Sequence, residues 1–369
     1  MFVAGVGVAS PLGLGWHASV DGWLRGASGL RPFSKDGLEL AQAGVVPDFR
    51  PRKQLPDRKA VKLMSREAQL LVYAAVEACG GTDPAQRLGV DPERIGGFAA
   101  AGYEVTPLGE VLDMFAGSRD PLDPSRLSLD ALFSTGRAAY NPLSPLKTLP
   151  NMALFHAALT LGLRGPHLAL GSSPAAGLAA LAGAVDALDD DTCDYAVVGG
   201  ADAQVELFRL HYMEEAGVVG SRPAEGAAAL LLGDAGDVEI LAVQLGQEPP
   251  AGPMPGEAYS VVSDGGARRE ALYRRVVEQA GCAVDLVIAD LWGLPQRDGF
   301  ERRAVTTVMP EGPILATRPR LGHMGAAHGL FDVALAVALI QRGEAKCVLV
   351  TAGGSAGDLG AVVLRGVDR

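Results

Sequence analysis

The chain has 369 residues, 48% of them apolar, 5% aromatic and 20% charged, and Lys+Arg 32 against Asp+Glu 43 gives a formal net charge of −11. A chain of this size and apolar content buries roughly three quarters of its unfolded surface, which excludes disorder as its main state. The negative field disfavours nucleic acid and anionic lipid as partners.

The opening MFVAGVGVASPLGLG lacks a basic leader region and is broken by Gly and Pro, so it is not expected to be a signal helix, and no segment approaches the ~18 unbroken apolar residues of a membrane span. Its GxG follows a strand, but the GxGxxG pattern is incomplete and Pro11 stands where a helix should open. The segment therefore reads as a tight strand-to-loop turn.

Further along, short apolar runs alternate with helix-period stretches, which predicts a parallel-rich sheet with crossover helices. Strands are predicted over 2–9, 95–101, 167–171, 195–199, 227–232, 238–245, 284–290, 314–316, 347–352 and 360–364. Helices are predicted over 65–79, 108–116, 151–161, 175–188, 268–280, 299–308 and 326–341. Between 117 and 150 the chain is rich in Pro, Ser and Asp, and QEPPAGPMPG at 247–256 reads as a linker. The expected division is thus 1–246, with an insertion around 102–150, and 257–369. An internal repeat supports it: GLAALAGAVDALDDD, CDYAVVGGAD and EGAAALLLG are matched in order by GLFDVALAVALIQRG, KCVLVTAGGS and LGAVVLRG.

Four cysteines, at 79, 193, 282 and 347, show no CxxC and no Cys/His ligand spacing. Reduced thiols in a cytoplasmic protein are expected, with no metal site and no cofactor.

Two segments carry candidate chemistry. In GPHLALGSSPAAGLAAL a strand ends at Gly171 and turns into a small-residue helix. Such an elbow can hold a nucleophile at the positive end of a helix, and Ser172 and Ser173 are candidates. An inert helix start looks the same, because Ser caps helices well and Pro174 suits the first turn. In RPRLGHMGAAHGLFDVALAV, His323 sits among Gly322, Gly325, Ala326 and Ala327, which leave its ring little cover, and His328 follows five residues on. His17, His156, His167 and His211 show no partner pattern.

Taken jointly, VAGVGVASPLG, DRKAVKLMSREAQLLVYAA, LGLRGPHLAL, YAVVGGAD, DLWG, LGHMGAAHG and AGGSAG resemble the β-ketoacyl synthases of the thiolase superfamily in the family's order, from Phe2 to Leu364. The resemblance implies an α/β thiolase-like fold, with duplicated βαβαβαββ halves in five αβαβα layers, and a dimer. Active members condense acyl groups held on an acyl carrier protein, using an elbow Cys, two His and a Lys.

Against that pattern the chain departs at almost every position. The nucleophile's place, three residues before Gly177 and 25 before Gly199, is taken by Pro174. Trp292 stands for the first His and Arg318 for the Lys, and His323 alone is retained. The gating aromatic before Gly353 and Gly354 matches Ala352, and these three are the expected substrate-binding positions. Proline removes both the thiol and the N–H that helps form the oxyanion hole, and losing one such donor costs on the order of 10²–10³ in rate.

The resemblance is therefore to a catalytically degenerate ketosynthase of the chain-length-factor kind, from polyketide or fatty-acid biosynthesis. It implies a heterodimer with an active β-ketoacyl synthase, a homodimer where that partner is absent, and contact with an acidic carrier protein. Arg58, Lys59 and Lys62, in a cluster with Arg52, Lys53 and Arg66, are the expected carrier-binding residues, with a solvated helix start as the plainer reading. The alternative function is an acyltransferase or thioesterase using Ser173 with His323 as base, and a third is a stand-alone acyl-binding homodimer.

Overall fold

The computed structural model describes residues 1–35, 38–102, 108–149, 151–171, 173–206, 209–210, 222–248, 265–354 and 356–367. The first strand, β1 (Phe2–Ser10), pairs with the short β2 (Gly13–Leu14). Helix α1 (Trp16–Leu24) and the hairpin of β3 (Leu30–Lys35) and β4 (Leu38–Gly44) follow, and none of these three was legible in the sequence pattern. Helix α2 (Arg66–Ala78) is capped by the Ser65 hydroxyl, which accepts from the Ala68 N–H at 3.3 Å. It lies directly on β1 because Gly5 and Gly7 leave room: a Cβ at Gly7 would sit 1.9 Å from the Ala74 carbonyl oxygen.

The rest of the first half runs β5 (Ile95–Ala101), α3 (Leu108–Gly117), α4 (Met152–Leu161), β6 (His167–Gly171), α5 (Ala176–Asp189), β7 (Tyr195–Ala203) and β8 (Glu225–Gly233). Between α3 and α4 there are only short helical pieces, as the Pro-rich composition there implies. The second half repeats the order with β9 (Val238–Gln247), α6 (Ala267–Ala280), β10 (Leu286–Ile288), α7 (Pro295–Val308), β11 (Ile314–Leu315), α8 (His328–Gln341), β12 (Cys347–Gly353) and β13 (Asp358–Gly366).

Each half supplies five strands in the same spatial order, β6-β5-β7-β8-β1 and β11-β10-β12-β13-β9. The two sets join edge to edge where Phe2 pairs with Glu239. Helices α5 and α8 pack between the two sheet halves, α2 and α4 cover the outside of the first, and α6 and α7 cover the outside of the second. These are the five layers of a thiolase-like fold. α8 is buried on every side from His328 to Ile340, as a helix in a central layer must be.

Some boundaries differ for local reasons. The run 284–290 forms strand only over 286–288, and past its end the Asp290 N–H donates to the Thr351 hydroxyl at 3.1 Å. α7 begins at Pro295 rather than 299, with proline in the first turn, where its missing N–H has no helical partner to lose. α8 begins at His328, after a 3₁₀ turn over Gly325–Ala327. Gln247 belongs to β9, and the linker segment from 249 to 256 lies outside the described residues.

The expectation of four reduced thiols is corrected. Cys282 and Cys347 form a disulfide, while Cys79 and Cys193 are free and buried. The parallel register of β10 on β12, with Leu286 opposite Val348, brings the two residues together from 65 positions apart. Among the described residues no helix is long and apolar enough to cross a membrane.

Candidate functional site

The elbow forms where β6 meets α5. Ser172 lies outside the described residues. The Ser173 hydroxyl accepts from the Ala175 N–H at 3.0 Å and donates to an Asp358 carboxylate oxygen. That is the bonding of a helix-start serine, not of a nucleophile poised on an imidazole. Pro174 is buried next to it and offers neither thiol nor N–H. Its carbonyl oxygen and the Ala352 Cβ close on Gly329 of α8 from two sides, at 3.1 and 3.3 Å from where a Cβ would lie. Pro174 and Ala352 thus converge on one glycine.

Across from them lies a buried ionic cluster centred on Asp290. Arg297 contacts its Oδ2 at 2.5 Å and Arg318 its Oδ1 at 2.5 Å, and Oδ2 also accepts from the Trp292 indole N–H at 2.9 Å and the Gly353 N–H at 2.8 Å. Burial alone would push this carboxyl up, but the Arg318 and Arg297 charges outweigh it and hold the group well below the usual carboxylate range. The two guanidinium groups also lie 4.2 and 4.6 Å from the Trp292 ring centroid, within cation–π range.

His323 completes the cluster. Its ring lies 4.9 Å from that of Trp292, and an Arg318 Nη1–H donates to its Nδ1. That bond places the ring proton on Nε2 and leaves no free lone pair for general-base work. Burial, and then the Arg318 charge, push its pKa well below the ordinary histidine value. The serine and the histidine of the alternative hydrolase reading are therefore committed to different partners, Asp358 and Arg318 respectively.

Beneath this layer the Thr317 hydroxyl donates to Asp332 at 2.7 Å and lies 2.8 Å from the His328 Nε2. Burial pushes Asp332 well up and His328 well down, so His328 is neutral near pH 7. Asp202, also raised by burial, accepts from the Ala326 N–H at 3.1 Å and from the Gln204 amide at 2.6 Å. It thereby anchors the loop that carries His323.

The structure thus gathers Pro174, Trp292, Arg318, His323, Ala352 and Gly353 at one place. Gly354 turns the β12–β13 hairpin beside them, its N–H donating to the Asp358 carbonyl at 2.8 Å. Sequence reasoning missed Asp290 and Arg297, which hold the site together. The available signal was an aspartate ending the apolar run VIAD, a charge in a buried place that needs a cation.

Arg58, Lys59 and Lys62 are exposed on the turn before α2, where the Asp57 carboxylate accepts from the Lys59 N–H at 2.8 Å and the Ala60 N–H at 3.0 Å. Arg52 and Lys53 are exposed nearby. Arg66 is not part of that free surface: Glu225 holds it at 2.5 Å, and its guanidinium lies over Phe49.

Among the described strands β6 pairs only with β5 and ends the sheet, and its His167, Ala169 and Gly171 are exposed. Large apolar side chains are also exposed elsewhere in the first half. Phe133 is 70% exposed, Leu129 72%, Leu159 66% and Phe155 48%.

Residues 2–229 match the family described as "Beta-ketoacyl synthase, N-terminal domain", and residues 255–349 match its C-terminal counterpart. A relative from Streptomyces coelicolor, described as "Putative polyketide beta-ketoacyl synthase 2", is 26% identical over 374 residues, covering 92% of this chain and 83% of its own. A solved structure described as "The ishigamide ketosynthase/chain length factor" superposes with a TM-score of 0.72 at 22% identity, over 100% of this chain and 99% of the other. A chain of another, a type II PKS acyl-carrier protein in complex with its ketosynthase, reaches 0.74 at 16% identity, with 99% of each chain covered. At these identities the two structures show a shared fold.

Proposed function

The chain belongs to the β-ketoacyl synthase family, and from that premise we propose that it is a non-catalytic, chain-length-factor-like subunit that pairs with an active β-ketoacyl synthase and shapes the acyl or polyketide pocket of the pair. The observation that carries this reading is the makeup of the site. Pro174 supplies no nucleophile and no oxyanion N–H, the Trp292 N–H is spent on Asp290, and Arg318 occupies the His323 Nδ1.

Pairing is supported by the exposed edge of β6. An unpaired strand edge aggregates unless it is covered, and the exposed Phe133, Leu129, Leu159 and Phe155 are further apolar side chains that a partner would cover. In the same reading Arg58, Lys59 and Lys62 receive an acidic acyl carrier protein, Ala352, Gly353 and Gly354 belong to the pocket wall, and 1–246 and 257–369 are the two ketosynthase-like halves.

The test is condensation of acyl and malonyl carrier proteins. The purified chain gives no product, and Pro174→Cys does not restore activity, because Trp292 still stands in the place of the first histidine. Turnover by either preparation contradicts the reading.

A further inference from the structure

Loss of catalytic groups alone would leave a vacated pocket. The site instead is filled by a buried ion cluster and an indole. Trp292 is 8% exposed, Arg318 6%, Arg297 4% and Asp290 2%. The indole is held by Arg297 and Arg318 against the ring and by Asp290 on its Nε1–H, and the residue's backbone N–H donates to the Asp298 carboxylate at 2.8 Å. The cluster also ties separate parts of the chain together, since Asp290 follows β10, Arg297 lies on α7, Arg318 precedes the His323 loop and Gly353 ends β12. Arg297 closes the ring of contacts by donating to the Asp290 carbonyl at 2.7 Å and the Gly353 carbonyl at 3.2 Å.

Resting on the ketosynthase-like reading of this site, we infer that Trp292 and the Asp290–Arg297–Arg318 cluster form a built-in plug, which occupies the place of an acyl-pantetheine thioester and keeps acyl ligands out of this chain. Several features make the closure stable. A ligand can enter only by displacing an aromatic ring of large contact area from two cations. Displacement also strips the Asp290 carboxylate of the indole donor while leaving it buried, where an unmade hydrogen bond is costly. The thioester group itself brings no hydrogen-bond donor that would replace the indole N–H.

The experiment is titration of the full-length chain and its Trp292→Ala variant with S-octanoylpantetheine, followed by calorimetry. The wild type shows no saturable binding below about 1 mM, and the variant, opened by the loss of the indole, binds at least about tenfold more tightly. Saturable binding by the wild type overturns the plug, as does a natively folded variant that binds no better.

A second measurement keeps Trp292 in place, in case the variant does not fold. With Trp16 and Trp23 replaced by Phe, the remaining indole emission is shielded from acrylamide and unchanged by the thioester. A thioester-dependent change in that emission overturns the plug. Binding without turnover leaves the non-catalytic reading standing, whereas turnover removes that reading itself.

Discussion

The Trp292 indole N–H donates to the Asp290 carboxylate at 2.9 Å, although the two residues are only two positions apart at the end of β10. This contact joins Trp292 to a buried ion cluster. Two cations depend on that one carboxylate.

Asp290→Asn should therefore destabilise the chain strongly. Removing one partner of a buried ion pair costs about 3–5 kcal/mol, because the remaining charge stays buried without compensation. Urea unfolding of wild type and variant measures it. A loss below about 1 kcal/mol would show that the cluster is not holding these elements together.

The second prediction concerns pH. The folded His323 has a pKa pushed well below its value in the unfolded chain, about 6.5, by burial and the Arg318 charge, offset in part by Asp290. Below that pH the unfolded chain takes up a proton that the folded chain refuses, so stability is full above about pH 6.5 and falls as pH drops. His328 acts in the same direction. Asp332, raised by burial, acts oppositely by keeping its proton in the folded state. His323→Gln isolates one group, and its stability should change less steeply between about pH 4.5 and 6 than the wild type's, by about 1 kcal/mol per pH unit. Equal slopes would mean that His323 does protonate in the folded chain.

The fold was legible in the sequence where burial dictates composition. The runs around β5, β7, β8 and β12 are apolar on both faces because helices cover both sides of the sheet, and the repeated helix–strand–strand unit announces the duplication. What stayed hidden depends on distance in sequence. Asp290 meets Arg318 across 28 residues, Cys282 meets Cys347 across 65, and neither pairing leaves a local spacing signal. The β3–β4 hairpin escaped notice because LRPFSK and LELAQAG mix polar and apolar residues without clean alternation. Of the site, the spacing to Gly177 pointed to Pro174, but the bond from Ser173 to Asp358 spans 185 residues and leaves no local signal.

The third prediction tests the basic turn before α2. Replacing Arg58, Lys59 and Lys62 by Glu should weaken binding of a labelled acyl carrier protein by at least about tenfold at low salt, with a smaller effect at high salt because exposed charges are screened. Fluorescence anisotropy reads the affinity. These side chains are exposed, so their replacement should leave the fold intact. An unchanged affinity at low salt would move the carrier site elsewhere.

The most direct test of the central claim is co-expression with an active β-ketoacyl synthase from the same pathway, followed by native mass spectrometry and a condensation assay of the isolated species. The account predicts a one-to-one heterodimer that survives dilution, as large apolar interfaces do, and condensation activity that is lost when the synthase's own nucleophile is removed. A stable monomer, or an exclusive homodimer of this chain beside the intact synthase, would contradict it.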